Sequence, residues 1–139
     1  MAPPLLLEAI AQFNRGEYFE QHETLERLWR AETGPVRRLY QGILQIGVAF
    51  FHLRRGNFHG TVVMLERGLA NLRPFAPVCQ SVDVARLVAA AESALAAVKH
   101  LGPGRLDRFD WRLAPRVRLV NRPSGTRPPR SASRTRTPP

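Results

Sequence analysis

The segment between Pro35 and Gly56 decides most of what this chain can fold into. Val36, Leu39, Tyr40, Ile43, Leu44, Ile46, Val48, Phe50, Phe51 and Leu53 make it apolar on nearly every side. A helix without a polar face has to be covered by neighbours. Pro35 suits a first helical turn, where a missing N–H costs nothing. Arg54-Arg55-Gly56 closes the segment with cations and a C-terminal glycine. The segment therefore predicts a central helix over 35–55, and the rest of the chain must supply its cover.

Four more helices are read around it. The first covers 4–14, with Pro3 and Pro4 at its start and Asn14 and Gly16 breaking the chain after it. The second covers 17–32, with Glu17 and Glu20 near its positive end and Thr33-Gly34-Pro35 ending it. The fourth covers 58–73, capped by Asn57, with Val62, Leu65, Leu69 and Leu72 at helical spacing. Pro74 and Pro77 interrupt the chain. The fifth covers 82–101, carries Val84, Leu87, Val88, Ala91, Leu95 and Val98, and stops at Gly102-Pro103-Gly104. Connections this short place successive helices antiparallel. The fold class is all-α, a compact bundle of about five helices over 1–102. An apolar face left open on the first or fifth helix would serve a homo-oligomer.

Beyond residue 102 the pattern changes. Phe109, Trp111, Leu113, Val117 and Leu119 alternate with polar residues, as in an extended segment over 103–120 laid on the helices. From 121 to 139 the residues are mainly Arg, Pro, Ser, Thr and Gly, too little apolar area to fold, so this stretch reads as a disordered tail. The net charge of +10 follows the same division. Residues 1–102 are nearly balanced at +2, and residues 103–139 carry +8.

The 139 residues suffice for one self-sustaining core. Cys79 is the one cysteine, so the chain makes no internal disulfide or cysteine cluster. Its neighbours Val78, Gln80 and Ser81 include no base to activate a thiol, and a small packing residue is the plain reading. The apolar run around 43–53 is broken by Gln45 and His52 and is too short to span a membrane. The N-terminus lacks a basic region and carries Glu8 inside its apolar stretch, unlike a signal peptide. A cytoplasmic location is the expectation, with no membrane partner.

The stretch FNRGEYFEQHETLERLW, residues 13–29, concentrates the chemistry. Tyr18, His22, Leu25 and Trp29 follow helical spacing, and His22, Glu26 and Trp29 lie within about 60° of one another around the axis. Glu23 stands one step to the side. On the third helix Gln41, Gln45 and His52 fall within about 40° of arc. If the two helices are antiparallel, both polar stripes meet, with Gly42 and Gly47 allowing close approach. The expectation is a buried or half-buried cluster of His22, Glu23, Glu26, Gln41, Gln45 and His52, with Trp29 beside it.

These residues carry a resemblance. Residues 13–29, followed by YQGILQIGVAFFHLRRGNFHG, resemble the helical family known as domain of unknown function 309. The resemblance covers about 13–72. It rests on Phe13, Gly16, Tyr18, Phe19, His22, Glu23, Glu26, Trp29, Gln41, Gly42, Gln45, Asn57 and Gly60. It implies a compact all-α fold with His22, Glu23 and Glu26 at a characteristic site, and it implies no activity.

Three uses of the cluster compete. One is a satisfied polar network pinning two helices in register, in which Glu26→Ala costs on the order of 1–3 kcal/mol. A second is a small-ligand or divalent-metal site: His22 and Glu26 at i, i+4 with His52 from the next helix suit zinc, manganese or iron. The order HETLE lacks the second histidine of HExxH, which argues against a zinc-protease reading. A third is an enzyme, either metal-dependent through His22, Glu26 and His52 or using Glu23, Glu26 or a histidine in acid–base catalysis, without any nucleophile motif or Gly-rich phosphate loop to support it. His59 reads as a first-turn surface residue, His100 as a cation at a helix C-terminus, and Trp111 as a packing anchor. A different class of function sits in the tail, where Arg116, Arg118, Arg122, Arg127, Arg130, Arg134 and Arg136 could meet nucleic-acid phosphates.

Overall fold

The computed structural model describes residues 2–120. Five α-helices make up the fold: α1 (Pro4–Asn14), α2 (Tyr18–Ala31), α3 (Arg37–Arg54), α4 (Phe58–Leu72) and α5 (Val84–Leu101). The central helix is α3, as its composition predicts. Leu39, Tyr40, Ile43, Ile46, Ala49, Phe50 and Leu53 are all buried on it. It packs against α2 on one side and α4 on the other, while α1 covers α2 and α5 covers α4. The core continues through Leu6, Ile10 and Phe13 of α1 to Leu65, Leu69, Leu87 and Val98.

The directions follow from paired residues. Tyr18 meets Phe50, Gln21 reaches Gly47, and Arg37 stacks on Trp29. As one helix advances the other retreats, so α2 and α3 are antiparallel. Likewise His52 lies against Gly60, Ile46 against Gly68 and Gly42 against Leu72, so α3 and α4 are antiparallel. Two glycines make that second approach close. A Cβ at Gly42 would lie 3.2 Å from the Gly68 carbonyl oxygen, and one at Gly68 would lie 3.1 Å from the Gly42 oxygen.

Helix ends explain where the sequence boundaries shift. Asn57 caps α4, its side chain accepting from the Gly60 N–H at 2.9 Å. Pro35 opens three-residue turns rather than the helix, and regular α-structure starts at Arg37. The start of α5 moves to Val84 because two short strands, β1 (Val78–Cys79) and β2 (Val82–Asp83), form an antiparallel hairpin before it. Gln80 and Ser81 turn this hairpin with φ of 53° and 66°. No glycine marks the turn, so the usual sequence signal is missing. Asp83 then caps α5 by accepting from the Arg86 N–H.

After α5 the chain folds back over the bundle, though not as one extended strand. Leu106–Arg108 and Trp111–Leu113 form short 3-10 turns. Extended backbone appears at Leu119, which bridges Val82. Phe109 and Val117 enter the core, while Trp111, Leu113 and Leu119 stay exposed. Asn14 holds this segment. Its side chain donates to the Val117 carbonyl at 2.9 Å and accepts from the Val117 N–H at 2.8 Å. The reading of 121–139 lies outside the described residues. Among the described residues no helix is long and apolar enough to cross a membrane.

Candidate functional site: the groove between α2 and α3

The residues α2 sends into the core are Tyr18, Gln21, Thr24 and Leu25. His22 and Glu26 come one step, about 100°, after Gln21 and Leu25. That step carries them to the edge of the buried face, where both are half-buried. The expected buried cluster is thus displaced outward. The polar residue that reaches from the interior of α2 to α3 is Gln21, which spacing alone did not single out. It is fully buried, and its Nε2 donates to the carbonyls of Tyr18 and Leu44 at 3.3 Å each. Its Oε1 has no hydrogen-bond partner among the described residues. The available signal was Gly47 on the facing helix, which leaves room for this side chain.

At the seam of α2 and α3 lie two adjoining clefts. One, of about 260 Å³, is lined by His22, Glu26, Trp29, Gln41, Leu44, Gln45, Val48 and Met64. The other, of about 230 Å³, is lined by Tyr18, Phe19, His22, Val48, Phe51 and His52. His22 and Val48 wall both, so the clefts form one groove with a saddle at these two residues. The structure therefore gathers His22, Glu26, Trp29, Gln41 and Gln45 in one place and puts His52 in the neighbouring cleft.

The polar stripes do not bond to each other. Glu26 pairs along its own helix with exposed Arg30 at 3.0 Å. Gln45 accepts from Asn71 of α4 at 2.7 Å. Trp29 is covered by the Arg37 guanidinium, 3.9 Å from the ring, and its carbonyl accepts from Arg37 Nε. His52 Nδ1 lies 3.5 Å from Asn57 Nδ2. The side chains of His22 and Gln41 make no hydrogen bond among the described residues. Among the described residues the interhelical network expected from sequence does not form: Glu26 is taken by its own helix and Gln45 by α4, while His22 and Gln41 stay without a side-chain hydrogen bond.

The metal and catalytic readings meet the same geometry. No group of three His, Cys, Asp or Glu residues among the described residues converges as metal ligands. The set His22, Glu26 and His52 is split, since His52 looks into the cleft that Glu26 does not reach. Glu23 is exposed and lines a neighbouring depression toward α1 with Gln12, Glu20, Thr24, Arg27 and Glu26, the last of which also lines the groove. The two glutamates share that depression, and Glu26 but not Glu23 lines the groove. Tyr18 closes the apolar end. Burial pushes its phenol above the ordinary value, and the Arg54 guanidinium, 4.9 Å from the ring, pulls it partly back.

Outside the groove, Arg116 and Arg118 are exposed on the returning segment. Arg122, Arg127, Arg130, Arg134 and Arg136 lie outside the described residues. His59 is exposed on the first turn of α4, and His100 sits in the last turn of α5. Cys79 is a free, half-buried thiol whose pKa burial raises, which makes it a poor nucleophile.

The uncharacterized protein YpuF of Bacillus subtilis (strain 168) is 31% identical over 75 residues, which is 52% of this chain and 43% of that protein. The chain thus spans less than half the length of this relative. No solved structure matches the chain at a significant level. Residues 6–64 match the model of the family described as domain of unknown function DUF309, a region that holds α2, α3 and the groove between them. Over those residues the chain resembles the DUF309 family.

Proposed function

We propose that this protein is a non-catalytic binding protein, and that the α2/α3 groove takes a small amphipathic molecule. The observation that carries this reading is the junction of two clefts at His22 and Val48. Together they reach the size of small-molecule sites, which begin near about 300 Å³. Val48, Leu44, Met64 and Phe51 supply an apolar floor, and His22 and Gln41 stand over it with hydrogen-bonding capacity that no other side chain among the described residues uses. That combination fits a ligand with an apolar body and one polar head. The partner of this site is an organic molecule, in a protein we place in the cytoplasm.

Anilinonaphthalene sulfonate, an aromatic body with an anionic head, is a suitable probe. Its fluorescence should rise on the native protein and fall back in Val48→Glu, which puts a charge on the saddle, and in His22→Ala. Far-ultraviolet dichroism of both variants should stay native. Equal fluorescence from both variants and the unaltered protein would place the probe elsewhere and remove the reading.

A further inference from the structure

A second recessed surface, of different chemistry, lies beyond Tyr18, which walls a cleft of each. One cleft of about 590 Å³ lies between α1, the start of α5 and the returning segment 116–120. A second of about 370 Å³ lies against the 3-10 turn at Trp111. Asn14 and Arg116 wall both, so the clefts meet at the point where Asn14 fastens the returning segment. Their charged lining is Arg86, Arg116 and Arg118 on one side and Arg15, Arg54 and Arg112 on the other, with Asp83 as the one carboxylate. Asp83 already accepts from the Arg86 N–H as the cap of α5.

These arginines differ in how far they are neutralised. Arg15 is paired with Glu17, and Arg112 with Asp110, both at about the same close distance. Arg54 and Arg116 spend one N–H each on the carbonyls of Gly16 and Asn14, which leaves their charge in place. Arg86 and Arg118 are exposed and make no side-chain hydrogen bond or ion pair among the described residues. Trp111 stands in the wall of the second cleft, 42% exposed, its edge packed on Phe109 at 5.3 Å. Arg54 lies 5.8 Å from its ring. The described chain ends at Val120, in the wall of the first cleft, and the next 19 residues add five arginines and no acid from that point.

We infer that this face binds single-stranded nucleic acid, with phosphates on Arg86, Arg116 and Arg118 and a base against Trp111. Cationic clefts that follow a backbone, joined to an accessible aromatic ring, are the means by which proteins hold single strands without reading sequence. Duplex shape fits less well, because the aromatic ring has no unstacked base to meet. An anionic membrane would need apolar residues facing outward on an amphipathic helix, and this face is a pair of clefts. The inference is independent of the α2/α3 groove, and either stands if the other fails.

The test is fluorescence anisotropy of a labelled oligothymidylate on the full chain. Binding should weaken as salt rises from about 50 to about 200 mM. Arg86→Glu with Arg118→Glu should weaken it about ten-fold or more and make the salt slope shallower by about 1.4, the share of two single-strand contacts. Trp111→Leu, which keeps the packing on Phe109, should weaken it several-fold with little change in slope. A chain whose five tail arginines are all glutamine should still bind, and still respond to the Arg86/Arg118 pair. Three results would overturn the assignment: no salt-sensitive binding, binding unaffected by the paired substitution, or binding lost entirely with the tail arginines. Equal affinity for a duplex of the same length, or preference for anionic vesicles, would overturn it as well.

Discussion

The side chain of Gln21 fills the volume that any side chain at Gly47 would need. The two residues lie on facing helices, and Gln21 is fully buried there, its oxygen unpartnered among the described residues. This contact sets how closely α2 approaches α3, and so sets the width of the groove beside it. Gly47→Ala should lower stability by about 1–3 kcal/mol through overpacking. In a Gln21→Ala background the obstruction is gone, while the helix-propensity gain of about 1 kcal/mol from replacing glycine remains. The sign of the Gly47→Ala effect should therefore reverse. Denaturant unfolding of the four proteins in that cycle measures it, and equal effects in both backgrounds would show that the two residues do not share the space.

Asn14 and Val117 are 103 residues apart and exchange two hydrogen bonds. Asn14→Ala strands the Val117 N–H and carbonyl in a half-buried place, at a cost on the order of 1–3 kcal/mol. Asn14→Asp keeps the acceptor and loses the donor, so its cost should fall between. The loss should also be local. Amide exchange at Val117 should accelerate well before that of Ile43 or Ile46 in α3. Uniform acceleration across the chain would instead mean that the returning segment opens only with the whole fold.

Much of this architecture was legible in the sequence, and the reasons differ by element. The all-round apolarity of 36–53 could be satisfied only by a central helix, and Asn57 with Gly56 marked the next start. The hairpin before α5 was not legible, because Gln80 and Ser81 hold positive φ without glycine and because β2 is completed by Leu119 from far along the chain. The site was half legible. Residue spacing located His22, Glu26, Trp29, Gln41 and Gln45 on facing stripes, but a stripe fixes an angle and not a depth. Depth depends on which neighbour the helix turns toward, and Gln21 against Gly47 turns α2 so that His22 and Glu26 reach the rim. The polar bonds that followed went to Arg30 and Asn71, partners on the same helix and on α4, which a two-helix reading had no reason to weigh.

That outward position changes what Glu26 should cost. A buried network predicts a loss of about 1–3 kcal/mol for Glu26→Ala. A half-exposed i, i+4 pair with Arg30, itself largely in solvent, predicts less than about 1 kcal/mol, reduced further by salt. Arg30→Ala should match it, and the double variant should equal either single one. A loss near 3 kcal/mol would mean that Glu26 holds α3 by an interaction other than this pair.

Tyr18 supplies a pH test of the groove's closed end. Burial raises its phenol above the ordinary 10.0, against a smaller opposing pull from Arg54, and Tyr40 is raised in the same direction by burial and by Glu32. A group whose pKa is higher folded than unfolded binds its proton more tightly when folded. Its contribution to stability is complete below the unfolded value near 10 and is lost as pH rises through the folded value. The melting temperature should therefore fall as pH is raised above about 10. Phenylalanine has no proton to lose, and Tyr18 makes no side-chain hydrogen bond among the described residues. Tyr18→Phe should thus leave the neutral melting temperature nearly unchanged and flatten the alkaline fall, and adding Tyr40→Phe should flatten it further. Parallel curves for the Tyr18→Phe variant and the unaltered protein would mean that this phenol reaches solvent, with the apolar cleft beside it open where the structure closes it.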